Sequence, residues 1–175
     1  FESESVGFFS MAPRLRFLLR ALWNTAPPLR EPTLSTNEKV KRRAGFGQGV
    51  IRLPTSFPGF QGEHATNLYR ACIAHIGAHL TFSGDRFPVR KLKPIQVAVV
   101  SLIEDARVEN LAIREMPGLR RLWLPLHVAQ TPSALSPNHA LMAPNLLARL
   151  ARALIDPEFS DYDGWVKKAK LEFFS

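Results

Sequence analysis

Val99 to Gln130 reads VVSLIEDARVENLAIREMPGLRRLWLPLHVAQ, and how this stretch is read decides the fold. Val97, Val99, Val100, Leu102, Ile103, Val108, Leu111 and Ile113 form an apolar run suited to a buried helix, and Glu104, Asp105, Arg107 and Glu109 interrupt it. Charges placed inside such a segment are costly to bury alone, so the cluster must be paired, solvated or used. It is therefore the first place to look for function.

Helical spacing continues on both sides. Upstream, GEHATNLYRACIAHIGAHLTF from Gly62 to Phe82 repeats apolar residues at Ala65, Leu68, Cys72 or Ala71, Ile76 and Leu80 and predicts a long core helix. Pro94 opens the next helix at a favoured first position, and Met116-Pro117-Gly118 ends it near Glu115. A third helix is expected from Leu119 to Ala129, bent or shortened by Pro125. A fourth should run from Pro144 to Ile155 and stop at Asp156-Pro157, with a last amphipathic segment from Asp161 to Phe174. Only Val50 to Leu53 looks like a strand, after a GFGQG loop at 45–49. The expected architecture is mostly α, a single domain of four to six helices.

The 175 residues and 46% apolar content suffice for one core, and no apolar run reaches the length needed to span a bilayer. The single cysteine, Cys72, excludes an internal disulfide or a multi-cysteine metal site and suits a reducing compartment, the cytoplasm. Residues 1–10 (FESESVGFFS) differ in character from the rest of the chain and are set aside as a tag or upstream extension, with Met11 to Trp23 a short amphipathic helix. Residues 11–58 are expected to be a basic, partly flexible N-terminal arm and linker, and 59–175 the helical domain. Nine Lys or Arg face only Glu31 and Glu38 between Pro13 and Arg52, including Lys39, Lys41, Arg42 and Arg43. No aromatic residues interleave with the dense run from Lys39 to Arg43, which argues against nucleic acid as its partner.

Two constellations could carry chemistry. His75 and His79 in HIGAH stand one helical turn apart on one face, the spacing by which two imidazoles reach one zinc ion. Glu104 is the candidate third metal ligand, as in zinc peptidases with a downstream Glu. Ile76, however, occupies the position where those enzymes carry their general base. The plainer reading is a pair of hydrogen-bonded histidines. In the acidic cluster Glu104 can reach Arg107 at i,i+3, while Asp105 and Glu109 form a like-charged i,i+4 pair needing a cation, which Arg70, Arg90 or Lys91 could supply. This is an ion-pair network or a partner surface. Arg120, Arg121 and Trp123 are of the types that dominate interfaces and form a second candidate partner surface, the alternative being that Trp123 is core. Cys72 lies one turn from His75, which could lower its pKa, although a small residue in a core helix is usually packing.

The string from Ile103 to Ala112, IEDARVENLA, followed by PGLRRLW from Pro117 to Trp123, resembles the N-terminal region of the NorD, CobT and CbbO group of von Willebrand A domain proteins, most of all its NorD branch. The resemblance runs from Phe57 to Ala129. It implies a non-enzymatic activator that works beside a MoxR-type AAA+ ATPase, coupling it to the activation or metal loading of a target enzyme such as nitric oxide reductase. The group's D-x-S-x-S metal site occurs nowhere in these residues. The alternative reading is a zinc-binding, degenerate metallohydrolase-like domain built on His75, His79 and Glu104.

Overall fold

The structure, a computed structural model, describes residues 6–32, 44–84, 87–129 and 142–175. Among these the chain is mostly helical, with six α-helices, one 3-10 turn and a small three-stranded sheet. It forms two compact units, Phe1–Thr81 and Phe82–Ser175.

In the first unit α1 (Phe8–Trp23) places Phe8, Met11, Leu15 and Leu19 on one buried stripe. The helix starts three residues before Met11, so Phe8, one of the set-aside N-terminal residues, lies in the core. Pro13, whose usual place is a first turn, is tolerated inside α1. Strand β1 (Leu29–Arg30) pairs in parallel with β3 (Val50–Arg52), and β2 (Gly45–Gly47) pairs antiparallel with β3. The expected GFGQG loop is thus a strand and a tight turn: Gln48 and Gly49 have φ of 52° and 73°, the two successive positive values that a two-residue hairpin of the primed type needs. Helix α2 (Gly62–Phe82) adds Tyr69, Ile73 and Ile76 to a core shared with Leu29, Ile51 and Leu53.

The segment expected as an arm therefore supplies a helix and a sheet to this core. Its densest basic stretch, Lys39 to Arg43, lies outside the described residues. Gly77 fits α2 against α1, because a Cβ there would sit 2.1 Å from Trp23 Cδ1. Tyr69 donates its hydroxyl to the carbonyls of Pro54 (2.7 Å) and Thr55 (2.9 Å), and the Phe57 ring meets it edge-on.

In the second unit α3 (Pro94–Glu115) begins at Pro94, with Gln96 Oε1 accepting the Lys93 amide, and ends at Met116. Helix α4 (Leu119–Trp123) passes into a 3-10 turn, Leu124–Leu126, that contains Pro125; the missing proline N–H shortens the expected helix. Helix α5 (Ala143–Ile155) packs Leu150, Ala153 and Leu154 with Ala106 of α3 and Val166 of α6 (Gly164–Phe174). Asp163 caps α6 by accepting the amides of Trp165 and Val166. No helix among the described residues is long and apolar enough to cross a membrane.

Candidate functional site

The acidic string on α3 is the polar hub of the second unit. Glu104 and Arg107, one turn apart, pair in bidentate fashion: Arg107 Nε donates to Oε2 at 2.7 Å and Nη2 to Oε1 at 2.8 Å. Ser83 Oγ also donates to Glu104 Oε1 at 2.7 Å, and Arg107 Nη2 donates to the Phe82 carbonyl at 2.8 Å. The hydrogen bonds to Glu104 raise the Arg107 pKa, against the opposing effect of burial. The pair thus fastens residues 82–83 to the middle of α3.

Two further residues of the string hold other segments. Glu109, buried, has Oε2 at 3.0 Å from His127 Nε2. This histidine lies eighteen residues on, past the 3-10 turn, and was not among the cations weighed from the sequence. Asn110 Nδ2 donates to the Ala106 carbonyl within its own helix and to the Leu154 carbonyl at the end of α5. Asp105 is half-buried. One helical string therefore positions three other stretches of the unit.

The PGLRRLW segment divides between interior and surface. Leu119 and Trp123 are buried, Trp123 to 2% exposure, so Trp123 is a core residue and not a contact surface. Arg120 is half-buried and Arg121 exposed, as are Arg114 and Glu115 at the end of α3. The corner formed by Met116, Pro117 and Gly118 is thus ringed by charge.

Composition and spacing missed the interior of α5. Arg149, 2% exposed, donates from Nε and Nη2 to the two carboxylate oxygens of Asp161 at 2.7 and 2.6 Å, with Asp163 Oδ2 3.8 Å from Nη2. Burial pushes the Asp161 carboxyl up, but the Arg149 hydrogen bonds, the Asp163 amide and the Arg149 charge overcome this and hold it below the usual carboxylate range. The Asp161 hydrogen bonds raise Arg149 in turn. Next on the helix, Arg152 pairs with Asp156 and donates to the carbonyls of Leu124 and His127. A usable signal was present: Arg149 adjoins Leu150 in an otherwise apolar stripe, and Asp161 and Asp163 precede a helix start.

The histidines belong to the first unit. On α2 His75 and His79 are half-buried with Nε2 atoms 3.2 Å apart and rings at 71°. Glu104, their candidate co-ligand from the sequence, belongs to the second unit, and its oxygens already accept from Arg107 and Ser83. Cys72 is not activated by its histidine neighbour; burial pushes its thiol up to about 11, where it stays protonated at neutral pH. No protein-family model, curated protein or solved structure matches this chain.

Proposed function

We propose that the chain is the N-terminal helical part of a NorD-like adaptor, a non-enzymatic activator that docks a MoxR-type AAA+ ATPase in the cytoplasm and couples it to activation or metal loading of a target enzyme such as nitric oxide reductase. One observation carries the reading. The residues that bear the resemblance are the ones that organise the second unit, with Glu104 and Arg107 holding residues 82–83, Glu109 holding His127 and Asn110 holding the end of α5. A string used in this way makes a fixed platform, and its remaining charges, Arg114, Glu115 and Arg121, stand exposed around the α3–α4 corner. Exposed arginines beside a rigid turn suit contact with an acidic patch on a partner.

The zinc-hydrolase alternative draws less support, since Ile76 stands where the general base would be and Glu104 is held by Arg107 and Ser83. Titration calorimetry against a MoxR-type AAA+ ATPase tests the adaptor. The chain should bind it, and Arg114→Glu with Arg121→Glu should weaken binding at least tenfold while leaving the melting temperature within a degree or two. Absence of binding by the unaltered chain overturns the adaptor reading. Unchanged binding by the double variant overturns the α3–α4 corner as its docking surface.

A further inference from the structure

We propose that His75 and His79 form a two-histidine chelate for an imidazole-preferring divalent metal ion, zinc or copper(II), on one face of α2. The helix supplies the geometry. Residues four apart stand one above the other on one face, and both side chains are half-buried, so their ring positions are restricted before any ion arrives. The two Nε2 atoms lie 3.2 Å apart. For metal–nitrogen bonds of about 2.0–2.1 Å, two ligands of a tetrahedral ion stand about 3.3 Å apart, and two adjacent ligands of a square ion about 2.9 Å. The observed separation falls between the two.

The contact is a hydrogen bond when one ring carries its proton on Nε2, and the ring positions admit the chelate as well. The ring centres are 4.7 Å apart, only 1.5 Å more than the Nε2 atoms, which is less than two imidazoles pointed tip to tip would require. The rings are therefore inclined to the line joining their nitrogens, a geometry open to one N–H···N bond and equally to two lone pairs that converge on one ion. In the chelate the protons sit on Nδ1 and both Nε2 lone pairs face the ion. Imidazole nitrogen selects zinc, copper and nickel over calcium and magnesium, which prefer oxygen. With two protein ligands the remaining positions are open to water or another donor, so binding is weaker than at a closed four-ligand zinc site.

Gly77, between the two histidines in sequence, faces Trp23 on the other side of the helix and plays no part in the chelate. The HIGAH segment thus serves packing with one face and offers ligands on the other.

The test uses the full chain and copper(II) alone. At one equivalent the electron paramagnetic resonance spectrum should show two equatorial nitrogens. His75→Ala and His79→Ala should each leave at most one and weaken copper binding, measured calorimetrically, at least tenfold. His64→Ala, which removes an exposed histidine eleven residues before His75 on the same helix, should leave both readouts unchanged. Excess zinc should raise the melting temperature of the unaltered chain and not of His79→Gln, the conservative variant that guards against a folding defect. A one-nitrogen spectrum, equal copper affinity in the unaltered chain and the alanine variants, or a zinc-induced melting shift that survives in His79→Gln overturns the chelate.

Discussion

In the first unit the fully buried large side chains are Leu15, Leu19, Ile51, Leu53, Ile73 and Tyr69, and the one polar group among these, the Tyr69 hydroxyl, donates to backbone carbonyls. The second unit buries Trp123, Val108, Leu150 and Leu154 beside Arg149, Glu109, Asp156 and Asp161, which are all the buried charged residues among those described. The first is an apolar core closed over neutral acids. The second depends on ion pairs whose attraction must repay the removal of two charges from water, which only close, well-satisfied geometry achieves. Two units of one chain therefore reach stability by different physics and should fail under different conditions.

The comparison breaks most sharply at Arg149. Replacing Asp161 by Ala strands a buried guanidinium and should cost about 3–5 kcal/mol, read by urea or thermal unfolding. Converting the pair to Arg149→Met with Asp161→Leu should recover most of that loss, because an apolar pair of similar volume removes the desolvation cost along with the attraction. A cost below about 1 kcal/mol for Asp161→Ala would show that the pair is solvated and that the second unit does not rest on it.

Acid and base should separate the units next. Asp161 has its pKa lowered by folding, so its contribution is present above the ordinary value of 3.8 and is lost as the pH falls through the lower folded value. Tyr69 moves the other way, pushed up from 10.0 to about 12 chiefly by burial, and Cys72 rises from 9.0 to about 11 for the same reason. A raised acid contributes stability below its unfolded pKa and loses it as the pH rises through the folded one, so the first unit weakens from about pH 9 upward. Residue-resolved hydrogen exchange should show α5 opening first below pH 4 and α2 opening first above pH 9. The same unit opening first at both ends would refute the contrast.

Gly77→Ala probes the first unit by packing alone. The new Cβ meets the rigid indole of Trp23, so strain of about 1–3 kcal/mol should exceed the roughly 1 kcal/mol gained in helix propensity. A net loss of up to about 2 kcal/mol is expected, accompanied by a change in Trp23 fluorescence. A stabilised variant would mean that Trp23 has room to move aside.

The elements were largely legible from spacing because α2, α3 and α5 carry strong apolar periodicity between proline and glycine breaks. What escaped was non-local or atypical. Strand β1 is two residues long and exists through its parallel pairing with β3, some twenty residues away, and setting residues 1–10 aside placed the first helix start at Met11 where it falls at Phe8. In the polar interior the Glu104–Arg107 pair was readable as an i,i+3 contact, whereas Glu109–His127 and Arg149–Asp161 span eighteen and twelve residues and no local rule finds them. His75 and His79 were legible as neighbours on one helix face, but Trp123, an interface residue by type, is core by position.

Arg107→Ala should have the smallest effect and discriminates most finely. Were the pair deeply buried, its loss would rival that of Asp161, but the Arg107 side chain is 42% exposed, so water screens the attraction and can replace part of it. What remains is the loss of the donor to the Phe82 carbonyl and of two hydrogen bonds to a Glu104 that still has Ser83, and these together should cost about 1 kcal/mol. Glu109→Gln keeps a hydrogen-bonding group opposite His127 and should cost no more than that. If Arg107→Ala lowers the melting temperature slightly and leaves binding to the proposed ATPase partner intact, Arg107 works as a fastener of residues 82–83. If stability is unchanged and binding is lost, the exposed part of Arg107 is itself a contact, and the docking surface proposed at the α3–α4 corner extends along α3.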